Sequence, residues 1–123
     1  MYMIGSDHPN KVVAEAIMDR IIEDGERIVT DAAVFQEILH RYSATGRPGH
    51  IESAFNLLRR LADEVFPLDM KTVELARTML GKHKGLSARD AVHAASMSLN
   101  QVHRMVTFDA DFDRVPGITR ISS

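Results

Sequence analysis

The chain has 123 residues, no cysteine, and a net charge of −2 from 15 basic and 17 acidic side chains. That composition excludes a disulfide scaffold, a zinc ribbon, a thiol nucleophile and a strongly basic nucleic-acid module. Hydrophobic residues make up 45%, enough for the core of a single domain over residues 1–123. No apolar run approaches the roughly 18 residues of a membrane helix. The opening Met1-Tyr2-Met3-Ile4-Gly5 is too short and uncharged for a secretory signal, so a cytoplasmic protein with no membrane association is expected.

The first helical pattern runs from Asn10 to about Asp24, where Val12, Val13, Ala16, Ile17, Ile21 and Ile22 recur at helical spacing before Asp24-Gly25. Arg27-Ile28-Val29-Thr30 then reads as a short strand. Thr30 and Asp31 offer an N-cap for a helix whose apolar stripe is Val34, Phe35, Ile38, Leu39 and Tyr42. Gly46, Pro48 and Gly49 break that pattern, and a third helix is expected over Ile51 to Ala62. Glu64 to Leu68 reads as a strand whose Pro67 marks its end or an edge position. Asp69 can cap a fourth helix through Leu80, and Ser87 starts a fifth, Ala-rich one to about Leu99. Strands at Arg104–Thr107 and Ile118–Ile121 complete the chain. Helices alternating with short strands predict an α/β fold with a mostly parallel sheet.

Ligands in such sheets gather beyond the carboxyl ends of the strands, and acidic residues fall there. Asp109 and Asp111 follow the strand ending at Thr107, Glu37 lies on the helix after Thr30, and Asp90 lies in the first turn of the Ser87 helix. Carboxylates in that pattern suit Mg²⁺ or Mn²⁺, which could polarise a phosphodiester and activate water without a nucleophilic side chain. Each also has a plainer reading. Ser87-x-x-Asp90 has the spacing of a capping box, Glu37 sits at the margin of its apolar stripe, and Asp109-Ala110-Asp111-Phe112-Asp113 could be a polar turn. A calcium loop is excluded, since its glycine and glutamate positions hold Arg114 and Arg120. A haloacid-dehalogenase phosphatase is excluded because too few residues follow Asp109 for its downstream motifs. His40 and His93 lie inside helices and read as packing residues. Lys82-His83-Lys84 and Arg59-Arg60 read as solvated faces and modest candidates for phosphate contacts.

Three stretches together resemble the PIN-domain ribonucleases, specifically VapC-type toxins of toxin–antitoxin pairs. They are Val34 to Leu39, Leu86 to Ala95, and Val106 to Ile118, and the likeness runs from about Met1 to Ile121. The resemblance implies a three-layer α/β/α fold, RNA cleavage with Mg²⁺ or Mn²⁺, a homodimer, and silencing by a cognate VapB-like antitoxin. It implies that Asp90, Glu37 and Asp109 are the helix-borne and post-strand metal acids and catalytic residues. The same resemblance implies Asp111 as a companion ligand and matches Thr107 to a hydroxyl residue that the family often places at the strand end.

One departure follows. The family opens with a hydrophobic strand ending in Asp-x-Asn or Asp-x-Ser, and here Met1–Gly5 reads as the end of the next helix, so the N-terminal strand is expected to be missing. Asp7, in a loop before His8-Pro9, does not take over the lost role. Three accounts are open: a functional protein that begins upstream of Met1, a partner or rearrangement that fills the gap, or a degenerate, non-catalytic module that binds antitoxin or RNA. The first is the expected one. A phosphatase or other metal hydrolase on the same acids is a further alternative.

Overall fold

The structure, a computed structural model, describes residues 1–5, 11–44, 46, 48–107, 112, 115 and 117–121. In chain order these form β1 (Tyr2–Ile4), α1 (Lys11–Glu23), β2 (Ile28–Asp31), α2 (Ala32–Ser43), α3 (Pro48–Leu61), β3 (Glu64–Phe66), α4 (Met70–Lys82), α5 (Ala88–Leu99), β4 (Arg104–Val106) and β5 (Thr119–Ile121). The strands make one sheet in the order β3-β2-β1-β4-β5, and every pairing is parallel. The expected α/β class stands.

The expectation of a missing opening strand does not. Tyr2–Ile4 is a strand, and it holds the centre of the sheet, with Met3 opposite Val29 on one side and Met105 on the other. The physical reason is the accounting of backbone hydrogen bonds. Without a strand between them, β2 and β4 would each bury a row of unpaired N–H and C=O groups. Tyr2, Met3 and Ile4 can satisfy those rows and bury apolar side chains as well: Met3 and Ile4 are both fully buried. Full burial of such a side chain contributes about 1.5–3 kcal/mol.

The pleat sends alternate residues to opposite faces. Tyr2, Ile4, Ile28 and Val106 meet Ile17 and Ile21 of α1, Val34 and Ile38 of α2, and Leu58 of α3. Met3, Val29, Phe66 and Met105 meet Met97 of α5 on the other face. Ala91, Ala94 and Ala95 of α5 then pack with Ala76 of α4, where small side chains let two helices come close. The result is three layers, with α1, α2 and α3 on one face and α4 and α5 on the other.

Local chemistry sets the boundaries. Gly25, at φ 72°, turns the chain out of α1. Asp69 caps α4, accepting from the Thr72 amide at 3.0 Å and the Thr72 hydroxyl at 2.8 Å. Ser87 caps α5 by accepting from the Asp90 amide at 3.1 Å. Pro48 does not break a helix but opens α3, because a first-turn residue needs no amide donor. β3 ends at Phe66, before Pro67, and lies at the sheet edge where proline is tolerated.

Candidate active site

Strand order places the reversal of connection between β1 and β4. From β1 the chain moves through α1 to β2 and on to β3; from β3 it returns through α4 and α5 to β4. The crevice above the carboxyl ends of these strands is where a doubly wound sheet binds ligands. Thr107 stands at the end of β4 and is buried. The Thr30 hydroxyl donates to the Ile4 carbonyl at 2.9 Å, tying the ends of β2 and β1.

β2 passes into α2 without a loop, and Asp31 is the joint. Its Oδ1 accepts from the Val34 amide at 3.0 Å and caps α2. Its Oδ2 lies 2.7 Å from Nδ1 of His93 on α5. The other ring nitrogen of His93, Nε2, lies 2.6 Å from Oε1 of Glu37 on α2. Three side chains from two helices and a strand end therefore form one chain of short bonds. Asp31 is 2% exposed and His93 4%. Distances of this size are those of charge-assisted hydrogen bonds.

Burial alone would push the His93 pKa down, but the hydrogen bonds to Asp31 and Glu37 outweigh it and raise it to about 10. An imidazolium donates from both nitrogens, which is what two carboxylate acceptors require. Outside this chain, Nε of Arg89 sits 3.8 Å from Glu37 Oε1. Glu37 and Arg89 line an open cleft of about 730 Å³ together with Gln36, Arg41, Leu68 and Val92.

Of the four expected acids, Glu37 belongs to this bridge and lines the cleft. Asp90 is 5% exposed and stands one turn before His93 on α5, on the same side of the helix. Its amide is capped by Ser87, the plainer of its two expected roles. Asp109 and Asp111 lie outside the described residues. Among the described residues, no group of three His, Cys, Asp or Glu is arranged to hold a metal ion. Glu37 and Asp90 are nonetheless hard oxygen donors of the kind Mg²⁺ or Mn²⁺ takes, and Mg²⁺ commonly makes do with one or two carboxylates plus water. His93 is not available as a ligand, because both of its nitrogens are engaged.

Asp31 and His93 were not singled out from the sequence as site residues. Asp31 was legible as a cap only. The useful signal for His93 was its i, i+3 relation to Asp90; its acidic partners lie 62 and 56 positions away.

No helix of the described residues is long and apolar enough to cross a membrane. Comparison with known proteins agrees with the fold. The PIN domain family matches residues 1–118. Ribonuclease VapC13 of Mycobacterium tuberculosis is 43% identical over 122 residues, covering 99% of this chain and 93% of that protein. Ribonuclease VapC23 of the same species is 38% identical over 109 residues, covering 89% of this chain and 86% of that protein. Among solved structures, VapBC2 of Rickettsia felis, bound to a promoter DNA fragment, superposes with a TM-score of 0.74 at 17% identity, covering 98% of this chain and 96% of that one. VapC20 of M. tuberculosis, a sarcin–ricin loop cleaving toxin, superposes at 0.71 and 17% identity over 96% and 97%. PIN-domain VapC ribonucleases generally depend on a divalent metal. With the parallel sheet, the acids on α2 and α5 and this extent of identity, the chain belongs to the PIN-domain family, in its VapC ribonuclease branch.

Proposed function

We propose that the protein is a divalent-metal-dependent endoribonuclease of the VapC type. The observation that supports this best is a cleft-lining Glu37 bridged to His93, one turn after the buried Asp90, in a chain 43% identical to a VapC ribonuclease. Glu37 and Asp90, with Asp109 and Asp111, would hold Mg²⁺ or Mn²⁺. When bound, such an ion supplies polarisation of the phosphodiester and a more acidic water. Glu37 orients the attacking water and accepts its hydrogen bond. The cleft walls, with Arg89 at the rim, receive the RNA strand and its phosphates. The net charge of −2 means that this contact relies on local basic groups and metal rather than on a basic surface.

Partners follow by the same likeness. Several structural neighbours are VapBC complexes, which supports a VapB-like antitoxin partner; a homodimer as the working form is proposed from the family resemblance alone. One observation favours a second reading, a non-catalytic PIN module that binds antitoxin or RNA: among the described residues, β1 (Tyr2–Ile4) carries no carboxylate.

Cleavage of a labelled RNA with Mn²⁺ separates the two. The nuclease reading expects cleavage that EDTA abolishes and that Asp90→Asn reduces by at least about 100-fold, the scale on which single catalytic groups act. A folded parent that binds RNA yet never cuts it supports the second reading.

A further inference from the structure

We propose that His93 is a positioning residue for Glu37, fixing its carboxylate through a rigid bridge to Asp31. This rests on the nuclease reading above and deepens it. The bridge begins at a fixed point. Asp31 ends a central-sheet strand, caps α2 through the Val34 amide at 3.0 Å, and is 2% exposed. His93 is held from Asp31 at 2.7 Å and delivers its second nitrogen to Glu37 at 2.6 Å. Glu37 is the one member of the bridge that also lines the cleft.

A glutamate carries three side-chain torsions, and ordering a freely rotating one costs conformational entropy. Here the His93 N–H holds one carboxylate oxygen in advance, so less of that cost falls on binding a cation or a water. The arrangement is the one by which outer hydrogen bonds orient metal-binding groups, where their loss typically costs about 10–100-fold in affinity or activity. A plain packing role for His93 would need partners for its buried nitrogens but no link to a cleft-lining acid.

The test compares parent, His93→Gln, Asp31→Asn, Glu37→Gln and the His93→Gln/Glu37→Gln double variant. Three quantities are read: metal-free Tm by circular dichroism, Mn²⁺ Kd by electron paramagnetic resonance, and kcat and KM on labelled RNA. Glutamine carries its N–H donors on one side and a carbonyl oxygen on the other, so it cannot span both acids as the two ring nitrogens do; His93→Gln should weaken Mn²⁺ binding and lower kcat by about 10–100-fold, with KM for RNA little changed. Added to Glu37→Gln, it should cost little more, because it acts through the same carboxylate. Asp31→Asn should move in the same direction by a smaller factor, and it decides the matter if His93→Gln fails to fold. Parental Mn²⁺ affinity and kcat in folded His93→Gln, or in Asp31→Asn where the first variant does not fold, overturn the positioning role alone. Fully additive losses in the double variant also overturn it. A folded parent that neither binds Mn²⁺ nor cuts RNA overturns the nuclease reading and the positioning role together.

Discussion

The two ends of the sheet carry charged clusters of similar composition in opposite surroundings. At the amino end, Arg104 lies over the Tyr2 ring, 4.0 Å from its centroid, donates to the Tyr2 hydroxyl at 2.8 Å and reaches Glu26 at 3.1 Å. Beside it, Arg27 meets Glu64 at 3.3 Å, with both side chains about half exposed. At the carboxyl end, Asp31, His93 and Glu37 are joined at 2.7 and 2.6 Å with almost no water around the ring. Exposed ions exchange one partner for water at little cost, whereas a buried ion that loses its partner has nothing to replace it. The first cluster trims the edge of the fold. The second constrains where α5 sits against α2 and β2, and thereby where Glu37 and Asp90 sit.

Breaking each cluster tests that contrast. The largest effect is expected for His93→Ala, which strands the buried Asp31 and removes the partner of the partly buried Glu37, and should lower stability by about 3–5 kcal/mol in urea unfolding. Next comes pH. His93 in the folded chain titrates near 10, above the roughly 6.5 of an unfolded histidine. The proton is therefore bound more tightly in the native state. Its stabilisation is fully present below about pH 6.5 and is lost as pH rises through about 10. Tm measured across that window should fall more steeply for the parent than for His93→Gln. The smallest effect is expected for Arg27→Ala, about 0.5 kcal/mol or less, and 1 M salt should erase most of it while leaving the buried bridge largely intact. An Arg27 effect as large as that of His93 would mean that exposure is not what separates the two ends.

Acid should act on the amino end in the opposite sense. The Arg104 guanidinium beside Glu26 holds its carboxyl below the usual range. A depressed carboxylate favours the fold above its unfolded pKa and loses that benefit as pH falls.

Much of the architecture was legible because it depends on local periodicity. Val34, Ile38 and Tyr42 at helical spacing, and Ser87 or Asp69 before an apolar run, are short-range signals, and α2, α4 and α5 follow them closely. Glu37 and Asp90 were legible as candidates by motif, although spacing could not tell Asp90 the ligand from Asp90 the first-turn acid. β1 was not legible. Tyr2–Ile4 is too short to show a period, and it is a strand because β2 and β4 on either side need its backbone.

The sequence by itself therefore determined the helices, their caps and the acids they carry, since these follow from side-chain periodicity and from hydrogen bonds spanning three or four residues. Only the tertiary structure decided which strand stands at the centre of the sheet and which partners His93 meets. Parallel pairing and the Asp31–His93–Glu37 bridge join residues far apart in the chain, and the free energy of those contacts exists only once α2, α5 and the sheet have closed around them.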